Sequence, residues 1–124
     1  MPLMLGSLGK YSVNLSAFWG MTGPQYVITV APVELFKRFG YPLLNDRDSE
    51  SLGTYIFEST DGDVVTIYFR ANDVWSLLLR LLKKSFWRGS KPVELTVGAE
   101  HQHQAEAFCS WLSSVVPTEV RKWP

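Results

Sequence analysis

The stretch that decides the fold is Thr54-Tyr55-Ile56-Phe57-Glu58, then Asp61-Gly62-Asp63, then Val64-Val65-Thr66-Ile67-Tyr68-Phe69. Two β-branched and aromatic runs flank an Asp-Gly pair, and Asp-Gly supplies the positive φ values of a turn between strands. Thr60 and Asp63 leave room for a loop longer than two residues. Large side chains fall on both faces in either register, so both strands are expected to lie inside a sheet rather than at its edge.

Upstream, Tyr26-Val27-Ile28-Thr29-Val30 has the composition of a well-covered strand. Residues 11–17 alternate, with Tyr11, Val13, Leu15 and Ala17 apolar, which fits a half-buried strand. A helix over Asn14–Met21 competes, because Leu15, Phe18 and Trp19 also sit at helical spacing. Pro32 suits the first position of a helix running through Val33, Phe36 and Phe39 to a stop at Gly40-Tyr41-Pro42. Leu43–Leu52 is polar and reads as a loop.

Downstream, Asn72 or Asp73 can cap a helix running through Phe86, with Ser76, Arg80, Lys83 and Lys84 on its polar stripe. Val93, Leu95 and Val97 alternate with Glu94 and Thr96 as another strand. Ala105, Phe108, Cys109, Leu112, Val115 and Val116 then line one side of a last helix, which Pro117 ends; Thr118–Pro124 reads as a loosely held tail. The order is β-β-α-β-β-α-β-α. It implies one α+β domain over residues 1–124, with a four- to five-stranded, mainly antiparallel sheet and helices on one face. The inner β-α-β-β-α-β order allows a ferredoxin-like core.

Composition narrows the function. No apolar run reaches the roughly 18–20 residues of a membrane span, and the opening Met1-Pro2-Leu3-Met4 lacks the basic start of a signal peptide. A single cysteine fits a reducing compartment, so a cytoplasmic location is expected. Glycine-rich phosphate loops, nucleophile elbows and zinc spacings are missing from the sequence, so the expectation is a non-enzyme without cofactor or metal. His101 and His103, the only histidines, read as exposed or capping residues. Cys109, on the apolar stripe of the last helix, is expected to be buried and inert. Asn14-Leu15-Ser16 matches a glycosylation acceptor by chance.

Charge is the informative signal. Twelve basic and twelve acidic residues cancel, but they are segregated. Asp46, Asp48, Glu50, Glu58, Asp61 and Asp63 face a single base, Arg47, between Asn45 and Asp63; Arg80, Lys83, Lys84, Arg88 and Lys91 then follow with no acid between them. Separated blocks of this kind steer a partner of opposite charge. The acidic block suits a basic protein, with Asp46, Asp48, Glu50, Asp61 and Asp63 steering it and Tyr41 and Tyr55 giving buried contacts. Trp87 with Arg88, and Trp123 with Arg121, are further interface candidates, because aromatics and arginine anchor protein interfaces. A nucleic-acid module using the basic helix, with Trp87 stacking on bases, needs a larger basic field than five residues in a neutral chain. The other alternative is a small enzyme or ligand-binding domain whose pocket the sequence does not group.

The run Gly40-Tyr41-Pro42, an acidic spacer, Tyr55-Ile56-Phe57-Glu58, Asp61-Gly62-Asp63-Val64-Val65-Thr66-Ile67-Tyr68, then Val97-Gly98-Ala99 and a closing helix, resembles small bacterial and phage α+β accessory proteins of the toxin-immunity type. The pattern covers about half the chain; Tyr55 stands where the usual tryptophan opens the hairpin. The resemblance implies a protein that binds and occludes a cognate toxin without chemistry of its own. It leaves the oligomeric state open.

Overall fold

A computed structural model describes residues 10–17, 20–44, 51–70 and 83–124. Its elements run β1 (Tyr11–Val13), β2 (Gly23–Val30), α1 (Pro32–Phe39), β3 (Ser51–Ser59), β4 (Val64–Arg70), α2 (Lys83–Trp87), β5 (Val93–Ala99), α3 (Gln102–Val115) and β6 (Glu119–Lys122). The strands form one open sheet in the order β1-β3-β4-β5-β2-β6, and every pairing is antiparallel. No described helix is long and apolar enough to cross a membrane.

The hairpin forms as its sequence implies. Tyr55 pairs with Ile67 and Phe57 with Val65. Both strands are internal, β3 between β1 and β4, and β4 between β3 and β5. Gly62, at φ +89°, takes the left-handed turn position.

Period-2 alternation then sorts the side chains. Tyr26, Ile28, Val30, Tyr55, Phe57, Val65, Ile67, Leu95, Val97 and Ala99 share one face with Leu35 of α1, Trp87 of α2 and Ala105, Phe108, Cys109 and Leu112 of α3. The described helices therefore cover one face, as expected. Along α1, Pro32 fixes the first turn and Gly40, at φ +76°, ends it, donating its N–H to Phe36.

Several expectations are corrected. The sheet has six strands, because the stretch read as a tail contributes β6: Val27 pairs with Arg121 and Ile28 with Val120. The core is not ferredoxin-like: a split β-α-β-β-α-β sheet would set β2 between β4 and β5, whereas here β5 lies between β4 and β2. β1 stops at Val13, short of the alternating run, because Asn14 bends the chain. Its Oδ1 accepts from the Ser16 N–H at 3.2 Å and hydroxyl at 2.9 Å, and its Nδ2 donates to Glu58 at 3.3 Å. Asn72–Leu82 of the basic helix and the loop holding Asp46, Asp48 and Glu50 lie outside the described residues.

One close approach ties α2 to the sheet. Gly53 sits at an irregularity in the β3–β4 register, at φ +149°. A Cβ built there would stand 2.7 Å from Trp87 Nε1, 3.0 Å from Pro42 Cγ and 3.2 Å from Leu44 Cδ2. Only glycine fits beneath the indole without displacing it.

Candidate functional site

The predicted site residues separate into three places. Tyr55 and Trp87 lie inside the protein, each 0% exposed. Tyr55 donates its hydroxyl to the Gly40 carbonyl at 2.5 Å, and burial pushes its pKa well above the usual tyrosine value. Trp87 packs edge-on against Tyr55 and Phe86, with centroids 5.3 and 5.0 Å away. Neither side chain can reach a partner, so both are removed from the interface; burial also removes Trp87 as a stacking surface for nucleic acid. The signal that misled is local. Trp87 falls off the helical stripe, but α2 ends there and turns the indole inward over Gly53.

Tyr41 and Arg88 come together in a second place. Phe36 and Tyr41 lie 4.6 Å apart, with Lys84 Nζ 5.8 Å above Tyr41 and the Arg88 guanidinium 5.9 Å above Phe36. Arg88 and Lys84 are exposed, whereas both rings are half-buried. This patch is basic, not the acidic surround expected for Tyr41.

Asp61 and Asp63 form the third place, and the fold adds residues that sequence order kept apart. The turn is tied down by Ser59, whose hydroxyl accepts from the N–H groups of Asp61 (3.1 Å) and Asp63 (3.0 Å). Gly62 donates to the Ser59 carbonyl at 3.0 Å, and Thr60 donates to the Lys10 carbonyl at 3.1 Å. From α3, Gln104 Nε2 donates to Asp63 Oδ1 at 3.0 Å, while its Oε1 accepts the His101 N–H at 2.9 Å. One amide thus locks the hairpin turn to the start of α3. Met21, Thr22, Gly62, Asp63, Val64, Glu100 and Gln104 line a cleft of about 280 Å³ between them. Met21 stands at its rim, 66% exposed. Glu100 lies 3.1 Å from His101 Nε2, and the His101 and His103 rings stack with centroids 5.6 Å apart.

Charge at this end is negative. Asp63 and Glu100 line the cleft, Asp61 belongs to the same turn, and Glu58 lies half-buried one pair below. The nearby Tyr11 hydroxyl is pushed above the usual tyrosine pKa, first by burial and then by the fields of Asp63 and Asp61. Lys10 is the counter-charge, its ammonium 5.8 Å above the Tyr11 ring. The pairings Val65–Ala99 and Gly23–Ala99 put this cleft at one end of the strands, whereas Val30 pairs with Val93 at the other, beside the start of α1 and the end of α2. Seven residues of β5 separate the ends, roughly 20 Å at 3.3–3.4 Å per residue. Among the described residues, Asp63 and Glu100 stand at one end of the strands and Lys84 and Arg88 at the other.

The remaining chemistry-bearing residues behave as structural groups. Cys109 is 4% exposed, and burial pushes its thiol up to about 12, which leaves almost no thiolate near neutral pH. Among the described residues, no group of three or more His, Cys, Asp and Glu side chains could hold a metal ion. Met21, Gln104 and Glu100 line the cleft and are the residues there that sequence reading did not single out as site residues. Only Met21 left a trace, a large apolar side chain inside the turn Gly20-Met21-Thr22-Gly23-Pro24. Comparison with protein-family models, with curated proteins and with solved structures finds no match to this chain.

Proposed function

We propose that this protein is a non-catalytic protein-binding module whose acidic cleft receives a basic partner, and that the partner is a toxin which it occludes as an immunity protein does. The observation that carries the binding role is Met21, an exposed apolar side chain at the rim of a cleft that Asp63 and Glu100 line. An apolar anchor inside a polar rim is the usual anatomy of a protein interface, and like-signed carboxylates add on-rate and select for a basic partner. Gln104 holds the rim in place before binding, which lowers the ordering cost of association. The toxin identity rests on the resemblance of the hairpin and closing helix to immunity-type proteins.

The test is affinity capture from the source cells with the wild-type chain, with Met21→Ala and with the double variant Asp61→Lys/Glu100→Lys. The expected result is a basic protein retained by the wild type, released by added salt and lost from both variants. Co-production of that protein with the wild-type chain should then relieve its toxicity. Capture of the same proteins by all three chains would overturn the cleft as the binding surface. A captured partner without toxicity would overturn the immunity role alone.

A further inference from the structure

β6 closes one side of the sheet with an edge that no described strand pairs. All four of its residues are exposed. Of the three large apolar side chains exposed among the described residues, two belong here: Val120 at 42% and Trp123, next after the strand, at 45%. Trp123 donates its N–H to the Gln25 carbonyl at 3.0 Å, and this fixes the alternation along β6. Glu119 and Arg121 direct their N–H and C=O groups to β2, opposite Thr29 and Val27, while Val120 and Lys122 direct theirs outward.

From this edge we infer that the protein forms a two-fold dimer through antiparallel pairing of β6 with β6 of a second copy, centred on Val120, joining two six-stranded sheets into one of twelve. A two-fold axis normal to the sheet preserves its faces, so each residue must pair with one of the same parity. Centring on Val120 makes Val120–Val120 a hydrogen-bonded pair built from the outward groups. The same register sets Glu119 opposite Arg121 of the second copy, twice, in the pairs where side chains approach most closely. Centring on Arg121 would set two guanidinium groups against each other. Charge therefore selects the Val120 register. Arg121 Nη2 already lies 3.2 and 3.3 Å from the Glu94 carboxylate, and the guanidinium has further donors for a second one. This surface shares no residue with the acidic cleft, so the two readings stand separately.

The test is sedimentation velocity across micromolar to millimolar concentrations, with amide exchange measured at both extremes. The expected result is a concentration-dependent dimer, with the Val120 and Lys122 amides slowed at high concentration. Glu119→Arg and Arg121→Glu should each weaken dimerisation by about tenfold, since two cross-strand pairs turn repulsive, and the double exchange should regain most of that loss. Val120→Pro removes an outward donor and no bond to β2, so it should abolish the dimer in a folded chain. A chain that stays monomeric overturns the proposal and leaves the edge to another protein's strand or to solvent. Equal loss in the double exchange, or a folded Val120→Pro chain that still dimerises, overturns it as well. The amide exchange decides the matter in the unmodified chain should Val120→Pro fail to fold.

Discussion

Gly53→Ala is the sharpest probe of how this molecule is held together. The added Cβ would lie 2.7 Å from Trp87 Nε1, against the 3.4 Å at which ordinary contact begins. The indole is fully buried against Tyr55 and Phe86, so it has no free direction in which to retreat. Overpacking of this kind costs about 1–3 kcal/mol. The φ of +149° adds backbone strain for any L side chain, about 1–3 kcal/mol more. The expected total, about 2–6 kcal/mol, is a large share of the ~5–15 kcal/mol that stabilises a typical domain. Urea unfolding followed by tryptophan fluorescence measures it; with m of roughly 1–3 kcal/mol per M, the midpoint should fall by about 0.7 M or more. Gly23→Ala is the control, because a Cβ there meets nothing within 4 Å and needs no positive φ. Trp87→Phe in the Gly53→Ala background should return part of the loss, giving a favourable coupling in the double-mutant cycle. Wild-type stability for Gly53→Ala, or zero coupling to Trp87, would refute the argument that the indole occupies the missing side chain's place.

The remaining predictions concern pH, the turn and the core. Cys109 ionises near 9.0 when unfolded and near 12 when folded, so its contribution is fully present below pH 9 and lost as pH rises from 9 toward 12. Tyr55 acts in the same direction above its usual value of 10.0. Cys109→Ala and Tyr55→Phe should each flatten the alkaline fall in stability, read as urea midpoints against pH. Tyr55→Phe should also lower stability at pH 7 by about 1 kcal/mol through loss of the bond to Gly40. Gln104→Ala should cost about 1 kcal/mol, with the His101 amide exchanging faster because its acceptor is gone. Trp111 buries its indole N–H with no acceptor among the described residues, so Trp111→Phe removes that donor along with its packing. That exchange should shift the melting midpoint less than Trp87→Phe does.

Legibility in the sequence followed locality. The hairpin could be read because turn chemistry and alternation lie within sixteen residues, Thr54–Phe69. The Pro32 start, the Gly40 stop and the apolar stripe of α3 are local in the same sense. β6 could not be read. Glu119-Val120-Arg121-Lys122 is exposed on both faces, so no hydrophobic pattern marks it, and only its backbone bonds to β2 make it a strand. The position of β5 between β4 and β2 depends on pairings between residues far apart in the chain. Trp87 is the clearest case at the candidate site. Its burial is decided by a glycine more than thirty residues earlier, which no helical stripe records. Asp61 and Asp63 were legible as acidic turn residues, but their neighbours Met21, Glu100 and Gln104 come from two other segments of the chain.

The placement of β2 has a consequence for synthesis. It pairs only with β5 and β6, both of which leave the ribosome long after it. Tyr26 meets Val97 only after some seventy more residues are made, a delay of roughly 4–14 s at about 5–20 residues per second. Throughout that interval Tyr26-Val27-Ile28-Thr29-Val30, apolar and rich in β-branched residues, has both edges open, while the hairpin of β3 and β4 can already close. Nascent chains are therefore most exposed to mispairing at β2, and substitutions that slow the arrival of β5 should lower soluble yield more than they lower the stability of the finished protein.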